Sequence, residues 1–456
     1  MSHGKKREIF TSLGPWQPGN RLKYAILGFP NTGKSLLYNA LTQADHPKTA
    51  VVDNAMFSTL VTQIGQFKVP DERLDYVVKI HGAAGGNDMT AIVSDGPALV
   101  DRAWTEEEGE GHSFLSKYYE VDVILHLLRG WDDDELTHYH ETVDPLRDAT
   151  LLNHELMMHD LLKIEKGIND LTEFIDETDY NHGVVGKSIK WERWVLLRAW
   201  ELLVGQPRKV TVPKAGTRPV PDMPTQCGGM ALRYAIWDTF EVEFLQKYKL
   251  LTGKPVVYIL NVSDRDYLRG RSVWMEPLKE HITEHLGSGE VVLMSATFES
   301  MWVNNMKACT LDRYKRANPW HKSAVPLCLF TSRRALKLIT IYVADPPENT
   351  PNQINFIPVP NDQIVQPYYL KDDTAAIDAA ALIDTEVGRY FNRLVMYSYH
   401  DLCDEDGNFE RLNEVGKHRI QNKRYPMNDG DVCEFMGWGV PPEELPPKTK
   451  KKGGGK

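Results

Sequence analysis

Apolar residues first come in short, unalternating runs. Lys23–Leu27 (KYAIL), Thr90–Val93, Val121–Leu128 (VDVILHLL) and Pro255–Leu260 (PVVYIL) are such runs. Runs of this length predict strands buried on both faces. Lys34–Thr42 follows the first of them with a helical pattern, and strands alternating with helical stretches predict an α/β domain on a parallel sheet. The period then changes. From Leu151 to Ile175, Leu152, Leu156, Leu161, Ile164, Ile168, Leu171 and Ile175 recur at helical spacing. Trp191–Val204 and Leu232–Leu251 repeat the habit on either side of the Pro- and Lys-rich stretch Gly205–Pro224. This predicts a helical hairpin inserted into the α/β domain, its stripes being packing rather than chemistry. Around Leu336 the pattern becomes strand-like again (LKLITIYV), and RYPMNDGDVCEFMGW places a turn at Asp429-Gly430 before a strand. The expected division is an α/β domain over 22–148 and 252–320, a helical insert over 149–251, a smaller α+β domain over 336–438 and a disordered basic tail over 439–456.

A length of 456 residues suits roughly three domains, and 42% hydrophobic residues suit a full core. No apolar run approaches the roughly 20 residues of a membrane helix, and MSHGKKREIF has no apolar run of signal-peptide length. The five cysteines are scattered without a C-x-x-C pair, which points to a reducing compartment and away from zinc. A formal net charge of −10 argues against a general polyanion binder, so DNA is not expected and RNA contact requires a local basic patch. Gly4–Arg7 (GKKR) and Lys448–Lys456 (KTKKKGGGK) are two such patches and read as solvated tails.

Between the first strand and the first helix stands GFPNTGKS, with Gly28, Gly33, Lys34 and Ser35 at the spacing G-x-x-x-x-G-K-S. Glycines let backbone N–H groups wrap a phosphate, the lysine supplies a point charge to the β- and γ-phosphates, and the serine hydroxyl ligates Mg²⁺. The helix N-terminus adds its dipole. Strand, loop and helix in this order are the context a phosphate loop requires. Asn31, Thr32, Gly33, Lys34, Ser35 and Leu36 are therefore candidate nucleotide-binding residues. Asp95 ends the run TAIVSD, where a carboxylate is needed to complete the metal site. Thr59 in MFSTL is a candidate third metal-site residue, of the kind that closes over metal and γ-phosphate in switch NTPases. NVSD (Asn261–Asp264) follows a strand and has a carboxylate for guanine N1–H and N2–H₂, with Asn261 bracing the loops. MSAT (Met294–Thr297) follows another strand and offers the base Ser295 and backbone groups. His126, His138, His140, His154 and His159 lack metal-like spacing, and WDDDE (Trp131–Glu135) reads as an acidic turn.

With GFPNTGKSLLYNALT, VPDERLDYV (Val69–Val77), RGWDDDELTH (Arg129–His138), VDPLRD (Val143–Asp148), KPVVYILNVSDRDYLR (Lys254–Arg269) and DGDVCEF (Asp429–Phe435), the chain resembles the Obg-like ATPases, or YchF family, of P-loop GTPases from about Leu22 to Trp438. The resemblance implies a G domain, an inserted helical hairpin and a β-grasp-like TGS domain, in a ribosome-associated cytoplasmic NTPase that favours ATP. It also supports Thr59, which precedes Pro70 by the family interval. The chain departs from the family at the D-x-x-G motif, here DGPA, so that Ala98 stands where a glycine N–H would meet the γ-phosphate. The next loop, DRAWTEEEGEGHS, is acidic, and its His112 does not align with the family histidine. Leu99 fits the family habit of a hydrophobic residue in place of the catalytic glutamine, and no residue is assigned as catalytic. Val262 replaces the lysine of N-K-x-D, while Asp264 keeps the guanine-reading carboxylate; the two imply that ATP and GTP both bind.

Three functions follow as expectations: a slow Mg²⁺-dependent purine-nucleotide hydrolase switching on the ribosome (large subunit or whole particle), a nucleotide-gated ribosome-binding protein without hydrolysis, and a P-loop small-molecule kinase. The insert has no Arg-rich lid of the kind a kinase requires.

Overall fold

A computed structural model describes residues 21–43, 62–83, 85–99, 115–133, 136, 138–177, 184–205, 229–287, 289–344 and 364–437. They fall into two compact units. One comprises Arg21–Phe67 and Ala91–Leu336, the other Lys68–Thr90 and the described part of Lys337–Lys456. The strands in chain order are β1 Lys23–Leu27, β2 Gln63–Lys68, β3 Gly85–Gly86, β4 Thr90–Asp95, β5 Val123–Arg129, β6 Val256–Asn261, β7 Glu290–Met294, β8 Leu338–Val343, β9 Ile364–Lys371, β10 Phe391–Ser398, β11 Arg419–Gln421 and β12 Asp431–Gly437.

The first unit holds a six-stranded sheet in the order β2-β4-β1-β5-β6-β7, and β4, β1, β5, β6 and β7 run parallel. Parallel strands must be buried on both faces, and β5 and β6 are buried at every position, as their unbroken apolar runs predict. Ala25, Leu27, Ile124, Leu128, Tyr258 and Leu260 build one core with Leu278 and Ile282.

The helical insert is a pair of helices, Pro145–Glu177 and Val184–Val204. Trp200 Nε1 donates to Glu165 at 3.1 Å and Arg193 Nε to Thr172 at 2.8 Å, so the two run antiparallel. The long helix serves two cores with one stripe. Leu152 and Leu156 pack against the parallel sheet, whereas Leu161, Ile164 and Ile168 pack against Val195, Leu196 and Leu203 of the second helix. The stretch Leu232–Leu251, expected as one helix, is a 3₁₀ turn at Leu232–Tyr234 and a nine-residue helix Thr239–Lys247. Asp238 and Glu241 form a capping box that starts this helix late.

The second unit is α+β, with a mixed sheet in the order β11-β10-β12-β8-β9-β3. Helix Ala376–Ile383 supplies Ala376, Ala379 and Ala380 to one of its cores. The other core contains Leu74 and Val77 of helix Glu72–His81. The segment Lys68–Thr90, which the sequence groups with 22–148, thus packs with the C-terminal sheet. Asp71 caps that helix and accepts the Tyr342 hydroxyl at 2.6 Å, and Arg73 donates to Asp429 at 2.9 Å. The turn predicted at Asp429-Gly430 is present, with Gly430 left-handed at φ 86°.

Candidate functional site

All five parallel strands present their C-terminal ends at one edge, where α/β sheets bind ligands. Gly28–Gly33 leaves the end of β1 and enters helix Lys34–Thr42. Asn31 and Gly33 are left-handed, at φ 60° and 96°. A Cβ on Gly33 would lie 2.7 Å from the Asn261 amide nitrogen, and one on Gly28 2.5 Å from the Leu127 carbonyl oxygen. Both glycines are thus required by close approach of other chain segments, and Gly33 also by its left-handed backbone.

Lys34 is 7% exposed, and its ammonium donates to the Phe29 carbonyl at 2.8 Å. Burial lowers its pKa to about 8, partly offset by the charge of Asp95. The Ser35 hydroxyl donates to Asp95 Oδ2 at 2.7 Å. Asp95 closes β4 with no exposed surface, and burial raises its pKa against the opposing effects of Ser35 and Lys34. Its Oδ1 is buried and has no hydrogen-bond partner. An orphaned carboxylate oxygen beside a serine hydroxyl fits a hard, oxygen-ligated cation such as Mg²⁺, with Ser35 and Asp95 as its protein ligands. Thr59, the third candidate, lies outside the described residues, as do Glu106–Glu110 and His112. Among the described residues no cluster of three or more His, Cys, Asp or Glu forms another metal site.

Asn261, at the end of β6, joins two loops. Its amide donates to the Thr32 carbonyl at 2.8 Å, and its Oδ1 accepts from the Ala296 N–H at 2.9 Å. Thr32 closes on itself, its hydroxyl donating to the Phe29 carbonyl at 3.0 Å. Ser295 caps helix Ala296–Lys307, and its hydroxyl donates to Asp264 Oδ1. Asp264 is exposed, so this pair brings the two predicted base-reading loops together at the surface. Val262 goes elsewhere: it is 2% exposed and packs in the core under the sheet. Leu36 lines a shallow groove of about 400 Å³ with Thr297, Ser300, Met301, Asn304 and Asn305, all uncharged.

The Asp95–Leu99 segment also turns inward. The Leu99 N–H donates to the Gly28 carbonyl at 3.2 Å, and its side chain is 1% exposed in the core with Leu115 and Tyr118. Ala98 is half-buried.

One part of the site was not visible in the sequence. Phe29 stacks on Tyr139, with ring centroids 5.8 Å apart, and meets His140 edge-on at 5.1 Å. The neighbouring His138 Nε2 lies 2.9 Å from Asp148 at the start of the long helix, both buried, and Arg147 Nη2 donates to the same carboxylate at 2.9 Å. Arg129, at the end of β5, holds the segment through the carbonyls of Trp131 and Leu136. His138 and His140, which lack metal-like spacing, are structural here: they couple the phosphate loop to the root of the helical pair. No short-range pattern signals a contact spanning 110 positions.

Two family models match: residues 23–158 fit one described as a 50S ribosome-binding GTPase, and residues 355–437 fit the YchF GTPase C-terminal model, described as a protein of unknown function. The chain is similar to the Obg-like ATPases, or YchF family, nearly end to end. Rat Obg-like ATPase 1 is 28% identical over 434 residues, covering 95% of each chain. The Schizosaccharomyces pombe Obg-like ATPase 1 is 26% identical over 431 residues, covering 94% of this chain and 98% of that one. The solved YchF GTPase of S. pombe shares the fold, with a TM-score of 0.64 at 24% identity over 92% of this chain and 98% of that one. The YchF fold therefore combines a P-loop GTPase domain with a C-terminal domain here, and the family is one of nucleotide binding and hydrolysis.

Proposed function

We propose that this chain is a Mg²⁺-dependent purine-nucleotide switch that binds ATP and, with little discrimination, GTP, hydrolyses it slowly, and works on the ribosome in the cytoplasm. On this reading 22–148, apart from Lys68–Thr90, with 252–320 is the nucleotide domain, 149–251 the helical insert, 336–438 a TGS domain and 439–456 a basic tail. The single observation that carries the reading is the joining of Lys34, Ser35 and Asp95 at the edge where Asn261 ties the phosphate loop to the base loops. Backbone N–H groups of Asn31–Ser35 would cradle the phosphates, and Lys34 would leave the Phe29 carbonyl for the β- and γ-oxygens. Mg²⁺, held by Ser35, Asp95 and Thr59, would neutralise phosphate charge.

Support for tolerance of ATP comes from Val262, whose burial leaves no cation along the base, and from Asp264, which already receives the Ser295 hydroxyl. Slow hydrolysis is supported by Leu99: the position that orients attacking water in many GTPases holds a hydrocarbon side chain in the core. The same observation favours, as a second reading, a nucleotide-gated ribosome-binding protein without hydrolysis. Ribosome association is supported by the description of the family model that residues 23–158 match and by the similarity to the Obg-like ATPases.

Titration with ATP, GTP and their non-hydrolysable analogues, beside a single-turnover assay, tests the nucleotide half. A hundredfold preference for GTP overturns the base reading, and isolated turnover above about 1 s⁻¹, within the ordinary enzyme range, overturns slow hydrolysis. Sucrose-gradient sedimentation tests the ribosome half. A protein that stays at the top with ATP analogue, GTP analogue and ADP alike at low salt does not bind ribosomes.

A further inference from the structure

None of the residues assigned above to nucleotide or metal lies on the helix Met275–His285. Its last turns carry two histidines four residues apart, in HITEH (His281–His285), a spacing that puts both on one face. Their ring centroids are 4.8 Å apart, with the planes inclined by 49°. Two imidazoles bound to one ion at about 2.0–2.1 Å place their centroids about 4.5–5.3 Å apart when the angle at the metal is about 90–110°. The pair thus already stands at chelating distance. We propose that His281, through Nδ1, and His285 form a site for a divalent transition metal such as Zn²⁺ or Ni²⁺, separate from the Mg²⁺ site and independent of the functional reading above.

The state of His281 supports this site. Its Nε2 lies 2.7 Å from the Thr150 hydroxyl, near the start of the long helix Pro145–Glu177. That hydroxyl donates its one proton to the Leu146 carbonyl at 3.0 Å. Nε2 is then the donor to Thr150, which leaves the lone pair of Nδ1 bare. Metal-ligating histidines are held in this way, with one ring nitrogen fixed by a hydrogen bond and the other on the ion.

The surroundings suit a cation as well. Asp144 and Glu284 act on the His281 ring with negative charge, and Glu284 Oε2 lies 3.9 Å from His285 Nε2. The C-terminal end of a helix favours positive charge. Leu278 and Ile282 of the same helix are fully buried, so the two rings stand on a fixed backbone. The side chain of His285 is 61% exposed, which leaves room for water on the ion.

Imidazole nitrogen selects Zn²⁺, Ni²⁺, Cu²⁺ or Co²⁺, whereas Mg²⁺ takes oxygen ligands. H-x-x-E-H is also the letter pattern of some zinc peptidases. This pair is no hydrolytic centre, because no third His, Cys, Asp or Glu completes a cluster among the described residues. A bound ion instead fixes His281 and, through Thr150, ties this helix to the root of the long one.

Calorimetry of the full chain with NiCl₂ and with ZnCl₂ tests the site at pH 7.5, above the ordinary histidine pKa of about 6.5 and in excess Mg²⁺. His281→Ala and His285→Ala are each expected to weaken the binding of one ion per chain at least about tenfold. The double variant should be no weaker than either single one, because a chelate opened at one end is already lost. Thr150→Val should weaken binding about tenfold through the freed ring. The wild-type melt should rise with Ni²⁺, while the metal-free melts of the variants and their Mg²⁺-ATP affinity should not move. Wild-type affinity in both single variants overturns the proposal. So do losses that add in the double variant, which would mean two separate one-histidine sites, and so does wild-type binding of both metals weaker than about 1 mM. Unchanged affinity in Thr150→Val overturns Nδ1 of His281 as the ligating atom.

Discussion

From Gly28 to Ser35 the side chains of Thr32, Lys34 and Ser35 are held by hydrogen bonds, two within the loop and one to Asp95, whereas from Asp95 to Leu99 the chain turns from a buried carboxylate into the hydrophobic core within four residues. Lys34, Ser35 and Thr32 each have a partner within 3.0 Å. At the other end Leu99 is 1% exposed among Leu115, Tyr118 and Ile124. Binding needs positive charge and N–H groups in place before the ligand arrives. Hydrolysis needs in addition a polar group aimed at a water, and a buried leucine supplies none. On the proposed reading, the site holds a nucleotide better than it cleaves one.

The largest expected effect lies on the binding side. Lys34→Ala removes a charge-assisted contact, and calorimetry with Mg²⁺-ATP should show a loss of about 1.5–3 kcal/mol, or roughly ten- to a hundredfold in affinity. Affinity equal to the wild type would remove the phosphate-loop assignment. The comparison predicts a different outcome on the other side. Leu99→Gln, which introduces the glutamine of many GTPases, should not speed turnover, because its amide enters the core; it should cost about 1–3 kcal/mol of stability in a denaturant melt. A faster, equally stable variant would show that this segment re-forms outside the core when nucleotide binds.

Asn261→Ala tests the brace. It deletes the bonds to Thr32 and Ala296, each contributing about 0.5–1.5 kcal/mol, so ATP affinity should fall while the Mg²⁺ dependence of binding is kept. A smaller signal comes from the buried ammonium. Lys34 has its pKa lowered to about 8 when its surroundings are apolar, and triphosphate should raise it again. Binding should then take up about 0.1 proton at pH 7 and about 0.8 at pH 8.5, read from calorimetry in buffers of different ionisation enthalpy. The sign for stability follows. The folded state gives up this proton more readily than the unfolded state, so the nucleotide-free protein gains stability from this group as pH rises from about 8 towards 10.5. Equal uptake at both pH values would mean that Lys34 is solvated before binding. The smallest effect is Ala98→Gly, which removes only a Cβ restriction and should raise single-turnover hydrolysis by less than about tenfold.

Much of the site could be read from local pattern, and the reason is local. Strand, glycine loop and helix are contiguous, so Lys23–Leu27 and Lys34–Thr42 end where their sequence predicts. Asp95 and Asn261 stand at strand ends, which the apolar runs before them mark. The long helix was also legible, though it begins at Pro145 rather than Leu151, because Asp144 caps its first turn through the N–H groups of Leu146 and Arg147. Val262 and Leu99 read as pocket positions from their motifs, and their apolar side chains entered the core instead. The stack of Phe29 on Tyr139 and His140 has no periodic trace at all.

The sequence by itself determined the parallel sheet, the phosphate loop and the helical pair, since each follows from residues within one or two turns or strands of each other. Tertiary structure alone decided which core Lys68–Thr90 joins. An amphipathic helix records that it must bury Leu74 and Val77 and not against what, and here the partners are Tyr342, Tyr397 and Val432 of the C-terminal sheet. It likewise decided that Asp95 keeps one buried oxygen without a partner while Ser35 takes the other, because that depends on where β4 ends relative to a helix 60 residues earlier. Side-chain period is a property of one segment, and the choice of partner is a property of the pair, so the first was available in the chain and the second only in the fold.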